Sequence, residues 1–290
     1  MTLEINPKKP QYYFHNGFRM PMGFPPEGFK SGINYQAEAS DIFITTYPKC
    51  GTTWTQYLVW LIQNNGEPLS ASQTISEVSP HLEEVGKEPI SNLAKPRIIK
   101  THLPYNLTPY HPEANYIYVA RNPFDCAVSL YHHTRGFIKH YNFADGTFDD
   151  FFECFITGEV DFGDYFDNLV PWYQHKDDHN VLFLTYEQMK YNIRKAILEI
   201  ANFLGEKYIK IIQNEQTLNK IIAHSSFKSM SKKQERWSSK RPENMPPFIR
   251  KGEVGDWQNY FSPEQIKRLR DKFNNRTVGT RLEKFWLEIC

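Results

Sequence analysis

Four short apolar runs alternate with helix-like segments along this chain, and that alternation constrains its fold more than any other feature. The runs are DIFITT (41–46), IIKTH (98–102), NYIYVA (115–120) and VLFLTY (181–186), each bounded by Pro, Asn or charged residues. Their length and β-branched or aromatic content predict strands. Between the first two lies TTWTQYLVWLIQNN, where Trp54, Tyr57, Leu58, Leu61 and Ile62 recur at i, i+3, i+4, i+7 and i+8. That period marks one buried helix face. A second helix is predicted over IRKAILEIANFLG, with Ile193, Ile197, Ile200 and Leu204 sharing a face and Gly205 as C′ residue. Strands alternating with helices imply an α/β fold whose central parallel sheet is covered on both faces. Such sheets bind ligands beyond the carboxyl ends of their strands.

The 290 residues admit one large α/β domain or two of ordinary size, and 40% hydrophobic content supplies a sizeable core. Before Asp41, FPPEGFKSG and its neighbours show no helical or strand period. Residues 1–40 are therefore expected to form an ordered arm, with the globular domain over 41–290. Thirty-four basic residues against 33 acidic leave +1, which excludes a nucleic-acid-binding charge over the whole chain. The charge is uneven, however: residues 225–252 carry eight Lys/Arg and two Glu. That segment reads either as part of an anion site or as a solvated loop. Cys50, Cys126, Cys154 and Cys290 are spaced neither for zinc nor for a dense disulfide framework. With no leader-like N-terminus and no run of 18 apolar residues, the expected setting is the cytoplasm, with free thiols and no membrane partner.

Three constellations carry chemistry. The turn Thr46-Tyr47-Pro48-Lys49-Cys50-Gly51-Thr52-Thr53-Trp54 joins the first predicted strand to the first predicted helix. A helix N-terminus offers unpaired N–H groups and a partial positive charge, which together hold a phosphate. Gly51 lets the backbone approach it, and Lys49, Thr52 and Thr53 add donors. Because the lysine precedes the glycine, the turn is not the G-x-x-x-x-G-K-[ST] loop of ATPases and kinases. The bland alternative is a helix start with incidental threonines. In the second constellation, Tyr118 to Ser129, Asn122 serves as N-cap and Pro123 as N1. Arg121 then sits at a strand's carboxyl end and Ser129 about two turns into the next helix, where both can reach an anion. An arginine so placed is also commonly a surface ion-pair partner. The third is Lys100-Thr101-His102-Leu103-Pro104, whose imidazole titrates near neutral pH; His132-His133 is the rival pair.

TYPKCGTTW, RNPFDCAVSL and FIRKGEVGDWQNYF, in that order, resemble the nucleotide-binding signatures of the cytosolic sulfotransferases. LTYEQMK and HSSFKSM extend the resemblance, which covers about Asp41 to Phe261. It implies a single α/β domain with a P-loop-like turn and 3′-phosphoadenosine 5′-phosphosulfate (PAPS) as donor, leaving adenosine 3′,5′-bisphosphate (PAP). Carried over, Lys49, Cys50, Gly51, Thr52, Thr53 and Trp54 would hold the 5′-phosphosulfate, and Arg121, Ser129, Arg250, Lys251 and Gly252 the 3′-phosphate. Trp54, Tyr186, Ser225, Phe227, Met230 and Phe248 would line the adenosine region, with Ser226 and Ile249 beside them. His102 falls on the family's general base, Lys49 would neutralise the leaving phosphate, and Lys100 would assist at the sulfuryl group. Cys50 stands where serine is common.

The implied acceptor is a small hydroxyl-bearing molecule, a phenol or an aromatic amine alcohol, met by Lys100 and His102 and enclosed by the arm and the 137–148 stretch. Two other readings stay open: a dehydratase that works through transient sulfonation, and a nucleotide-binding protein without turnover. Lys49 and His102 together argue against the latter. Many relatives dimerise through K-x-x-x-T-V-x-x-x-E, but here the segment reads Gln258 to Lys267 with Lys, Thr-Val and Glu all replaced. A monomer, or a dimer through another surface, is expected.

Overall fold

Two antiparallel strands open the described chain: β1 (Tyr12–His15) and β2 (Phe18–Pro21), paired from Tyr12↔Pro21 to His15↔Phe18. A short helix, Pro26–Gly32, follows. The computed structural model describes residues 9–15, 17–238, 242–243 and 245–286. The arm thus contains regular structure where the sequence shows no period, because four-residue strands are too short to display one. The Asn-Gly pair at 16–17 is the readable hairpin signal.

The central sheet comprises β3 (Ile42–Thr45), β4 (Ile98–Thr101), β5 (Asn115–Ala120) and β6 (Val181–Thr185), all parallel, in the order β4-β3-β5-β6. Alternation along the strands sorts their side chains onto two faces. Phe43, Tyr116 and Tyr118 point to an aromatic layer, and Ile42, Ile44, Ile117 and Val119 to an aliphatic one. The register places Phe43 beside Tyr116, and their rings stack at 5.0 Å between centroids and 11° between planes. Helices Thr52–Gln63 and Ile193–Leu204 cover the aliphatic face, while Pro123–Gly136, Phe148–Thr157 and Tyr165–Gln174 cover the aromatic one. Both layers share one sheet, so the fold is a single α/β domain and the two-domain possibility falls away.

The first predicted helix buries Tyr57, Leu58, Leu61 and Ile62 as its period requires, whereas Trp54 turns toward a cavity instead. Gly205 (φ 109°) closes the Ile193–Leu204 helix. Each predicted strand exists, with ends trimmed by a residue where capping takes over. Tyr186, for example, begins a helix whose N-cap is Thr185, closed by a capping box with Gln188. The chain leaves β3 toward β4 on one side and leaves β5 toward β6 on the other. The crevice between β3 and β5 is therefore the switch point at which such sheets bind ligands. Among the described residues no helix is long and apolar enough to cross a membrane.

Candidate active site

Every strand of the central sheet ends at one cavity of about 570 Å³ and delivers a side chain to it. Lys49, Thr52 and Thr53 follow β3, Lys100 and His102 come from the end of β4, Arg121 follows β5, and Tyr186 follows β6. The turn after β3 is shaped by two left-handed residues, Lys49 (φ 69°) and Gly51 (φ 102°). A Cβ at Gly51 would stand 3.0 Å from the Tyr186 ring, so glycine serves both the turn and the close approach. Among the described residues no side chain caps the helix that begins at Thr52, which leaves its first amides to meet an anion. The Lys49 ammonium lies 4.1 Å from the Phe248 ring centroid.

His102 is held from three sides. Its Nδ1 lies 2.9 Å from the Thr46 carbonyl and 3.2 Å from Thr46 Oγ1, which contacts Thr52 Oγ1 at 2.6 Å. Nδ1–H donation to that carbonyl leaves Nε2 as the basic nitrogen. The His102 backbone N–H donates to Glu83 Oε1 at 2.6 Å, and the Thr101 hydroxyl donates to the same oxygen at 3.0 Å. Asn168 Nδ2 donates to the His102 carbonyl at 2.9 Å. Burial, reinforced by the charges of Lys100 and His81, holds the His102 imidazole well below its usual 6.5. Burial also lowers the Lys100 ammonium.

A second cationic group joins the middle of the chain to its late segment. Arg121 is buried, with its guanidinium 4.4 Å from the Tyr186 ring centroid. It donates Nη1–H to the Lys49 carbonyl at 3.1 Å and Nη2–H to the Glu253 carbonyl at 3.3 Å, while its buried Nε has no hydrogen-bond partner among the described residues. As predicted, Asn122 caps the following helix, accepting from Phe124 N–H at 2.9 Å. Arg250 and Lys251 each reach Asp256 at 2.5 Å. Burial pushes the Asp256 carboxyl up, but hydrogen bonds from Lys251 and Arg250 prevail and hold it at about 2. Asp125 fixes this turn by accepting from Gly255 N–H at 2.7 Å and Trp257 N–H at 3.0 Å. Gly252 (φ 63°) packs under Phe227, where a Cβ would come within 2.6 Å of the ring.

The other expected residues divide plainly. Trp54, Ser129, Ser225, Phe227, Met230, Phe248 and Ile249 all line the cavity, and Trp54 meets Tyr186 edge-on at 5.7 Å. Cys50 and Ser226 do not. The Cys50 thiol is fully buried, 3.8 Å from the Pro48 carbonyl and 3.7 Å from Cys126 Sγ, so it cannot act beside Lys49 as a serine hydroxyl would. Ser226 faces its own helix instead, capping Phe227–Met230 through Ser229 N–H and donating to the Ala223 carbonyl. Within the basic segment Arg250 and Lys251 reach the cavity, whereas Lys228, Lys232 and Lys233 are exposed as in the solvated-loop reading. Lys240, Arg241 and Cys290 lie outside the described residues. Of the rival pair, His132 bonds Tyr260 Oη at 2.8 Å away from the cavity, and His133 lines it among the rings of Phe137, Tyr141 and Phe248.

A family model described as a sulfotransferase domain matches residues 39–282. The chain belongs to the sulfotransferase family. This sulfotransferase is 35% identical to mouse Sulfotransferase 1B1 over 265 residues, 86% of each chain. To human Sulfotransferase 1C2 it is 34% identical over 271 residues, covering 88% of this chain and 89% of that one. Its fold matches mouse sulfotransferase SULT7A1, solved with PAP, at a TM-score of 0.77 and 29% identity, over 96% of this chain and 98% of the other. It matches retinol dehydratase, solved with androsterone and PAP, at 0.80 and 25% identity over 94% and 91%.

Sequence reasoning missed Glu83, Asp161, Phe162 and Asp256 in this sulfotransferase. Asp256 could have been read, since it lies inside the GEVGDW match. Glu83 and Asp161 carry no local signal: each is one acid among several nearby, Glu83 beside Glu84 and Asp161 between Glu159 and Asp164, until the fold buries it to 0% and 1% exposure.

Proposed function

We propose that this sulfotransferase moves a sulfuryl group from PAPS to the hydroxyl of a small acceptor, a phenol or an aromatic amine alcohol, with His102 as general base. The supporting observation is that His102, Lys49 and Lys100 share one cavity with the separate cations Arg121, Arg250 and Lys251. The residues present fit the donor: two cation groups suit its two anionic ends, Arg121 Nε has no partner among the described residues, and glycines at 51 and 252 let the backbone approach the Tyr186 and Phe227 rings where a Cβ would collide with them. When bound, PAPS supplies an activated sulfuryl group on a phosphate leaving group.

Lys49, the first amides of the Thr52 helix and the hydroxyls of Thr52 and Thr53 would hold its 5′-phosphosulfate. Arg121, Ser129, Arg250, Lys251 and Gly252 would hold the 3′-phosphate, and the Trp54, Tyr186, Phe227 and Phe248 rings, with Ser225 and Met230, the adenosine. His102 takes the acceptor's proton at Nε2, while Nδ1–H remains on the Thr46 carbonyl. Lys49 stabilises charge on the leaving phosphate oxygen, with Lys100 beside it. Two structural neighbours solved with PAP support the donor, and androsterone and retinol in retinol dehydratase structures support small acceptors. Incubation with radiolabelled PAPS and an acceptor panel is expected to give sulfated product. Alkene product would make the enzyme a dehydratase like that neighbour, and label that never leaves PAPS would make it a binding protein.

The same proposal includes the cytoplasm as its compartment, in keeping with Cys50 and Cys126 as thiols in contact. It also includes a monomer, or a dimer through some surface other than residues 258–267. Pro263 is the first residue of the Pro263–Arg276 helix and Ser262 its N-cap, so the segment that relatives use for dimers is committed to a helix start. Light scattering at micromolar concentration should return the mass of one chain, 34.2 kDa, or of a dimer that cross-links outside residues 258–267. A stable dimer cross-linked through residues 258–267 would overturn this.

A further inference from the structure

Beyond His102 the cavity continues into a second end whose walls are aromatic. Phe24, Phe137, Tyr141 and Phe162 line it, together with His81 and His140. One carboxylate interrupts them. Asp161 is 1% exposed and lines the cavity; its Oδ2 accepts from the Tyr141 hydroxyl at 2.7 Å, and its buried Oδ1 has no hydrogen-bond partner among the described residues. No lysine or arginine forms an ion pair with it among those residues, and Lys49 and Lys100 act on it only as nearby charges. The reaction above gives it no task.

Backbone geometry fixes where this carboxylate stands. Phe162 holds a left-handed conformation (φ 62°), unusual for a bulky residue, and Gly163 follows at φ 76°. Phe162 N–H donates to the Arg19 carbonyl of β2 at 2.9 Å, and the Tyr47 hydroxyl of the phosphosulfate turn donates to the Gly163 carbonyl at 2.8 Å. The Phe162 ring lies 5.0 Å from the His102 ring, so Asp161 and the base belong to neighbouring parts of one wall. A buried carboxylate with an unmatched oxygen is costly unless something charged or hydrogen-bonding meets it. Aromatic faces around an anion make a suitable chamber for a cation, since ring faces also attract positive charge.

Building on the sulfotransferase reading, we propose that Asp161 is a subsite for a protonated amine on the acceptor, so that the enzyme selects aromatic alcohols bearing an ammonium group over neutral ones of the same size. Burial raises the Asp161 carboxyl to about 6, while the Tyr141 hydrogen bond and the Lys49 and Lys100 charges favour its ionised form. Glu84, half-exposed and also lining the cavity, adds negative charge on the same side.

The test is calorimetry on full-length protein loaded with PAP, comparing tyramine with 4-propylphenol, in which a methyl replaces the ammonium. Wild-type protein should bind tyramine more tightly, because the Asp161 carboxylate meets the ammonium that 4-propylphenol lacks, while the rings around it also attract positive charge. Asp161→Asn should reduce the tyramine preference by about 10- to 100-fold, the scale of one charge-assisted hydrogen bond, and leave 4-propylphenol and PAP affinities nearly unchanged. An equal loss for both ligands, or an unchanged ratio, overturns the proposal. If the variant does not fold, the wild-type comparison still decides: tyramine binding more weakly than 4-propylphenol refutes an ammonium subsite. Failure of PAP to bind would count against the donor assignment alone, and the same two ligands titrated into unloaded protein would then judge Asp161.

Discussion

Replacing His102 by alanine lowers kcat by about 100-fold or more, the usual scale for loss of a general base, while PAP affinity is nearly unchanged. The separation is expected because, among the described residues, the His102 ring bonds the turn after β3 through Thr46, and none of the cations proposed for the donor hydrogen-bonds its ring. Parallel measurement of kcat and the PAP dissociation constant checks it, and equal losses in both would refute the assignment. The pH profile supplies an independent reading. A base acts when neutral, and burial with the Lys100 and His81 charges lowers the imidazole below 6.5. Neutral His102 therefore persists below pH 6.5, and activity falls only as pH drops through that depressed value. With an aliphatic alcohol acceptor, whose hydroxyl does not titrate, the acid limb of kcat/KM should lie below 6.5. Asn in place of His102 should abolish that limb along with most of the rate.

Adenosine 5′-phosphosulfate, which lacks the 3′-phosphate, should bind at least about 100-fold more weakly than PAPS. Each charge-assisted hydrogen bond contributes about 1.5–3 kcal/mol, so losing two costs about 3–6 kcal/mol. Arg121→Ala is a blunt probe of this site, because Arg121 also donates to the Lys49 carbonyl and its loss loosens the turn after β3. Lys251 is the sharper one: its side chain is 41% exposed and its ammonium pairs with Asp256. Lys251→Gln should weaken PAPS by about 10-fold or more and leave adenosine 5′-phosphosulfate unchanged. Calorimetry showing the two donors within about threefold of each other on wild-type protein would dismiss the 3′-phosphate site.

The residues proposed for the donor that line the cavity were largely legible in the sequence because they lie on local motifs. A strand end, a glycine turn and a capped helix each announce themselves within about ten residues, as Thr46 to Trp54 and Tyr118 to Ser129 do. Side-chain direction was not legible. Cys50 sits in the middle of the phosphosulfate motif, yet its thiol points to Cys126, and Ser226 adjoins cavity residues on both sides while bonding only its own chain neighbourhood. The aromatic end was legible only as segments: the arm and the 137–148 stretch were expected there, and Phe24, Phe137 and Tyr141 from them line the cavity, but their individual contacts were not, since the wall is assembled from segments far apart in sequence. Phe24, Phe137 and Phe162 become neighbours of one cavity only through tertiary contacts, and nothing near Asp161 distinguishes it from a surface acid.

The hairpin β1–β2 has a consequence for how the molecule folds and breathes. It joins the rest of the chain through Gln11 N–H to the Tyr141 carbonyl, Met22 N–H to the His140 carbonyl and Phe162 N–H to the Arg19 carbonyl, bonds that span more than a hundred residues of sequence. Contacts of such separation form late, after the loop between them has been closed. The hairpin also rests on a small satellite core of Met20, Phe29, Leu103 and Phe162, separate from the two layers of the sheet. A two-stranded hairpin is marginal by itself, so this unit opens at a lower free energy than the sheet does. Because Pro21 of β2 and the nearby Phe24 line the aromatic end of the cavity, local opening would expose that end while the paired β3 and β5 stay closed.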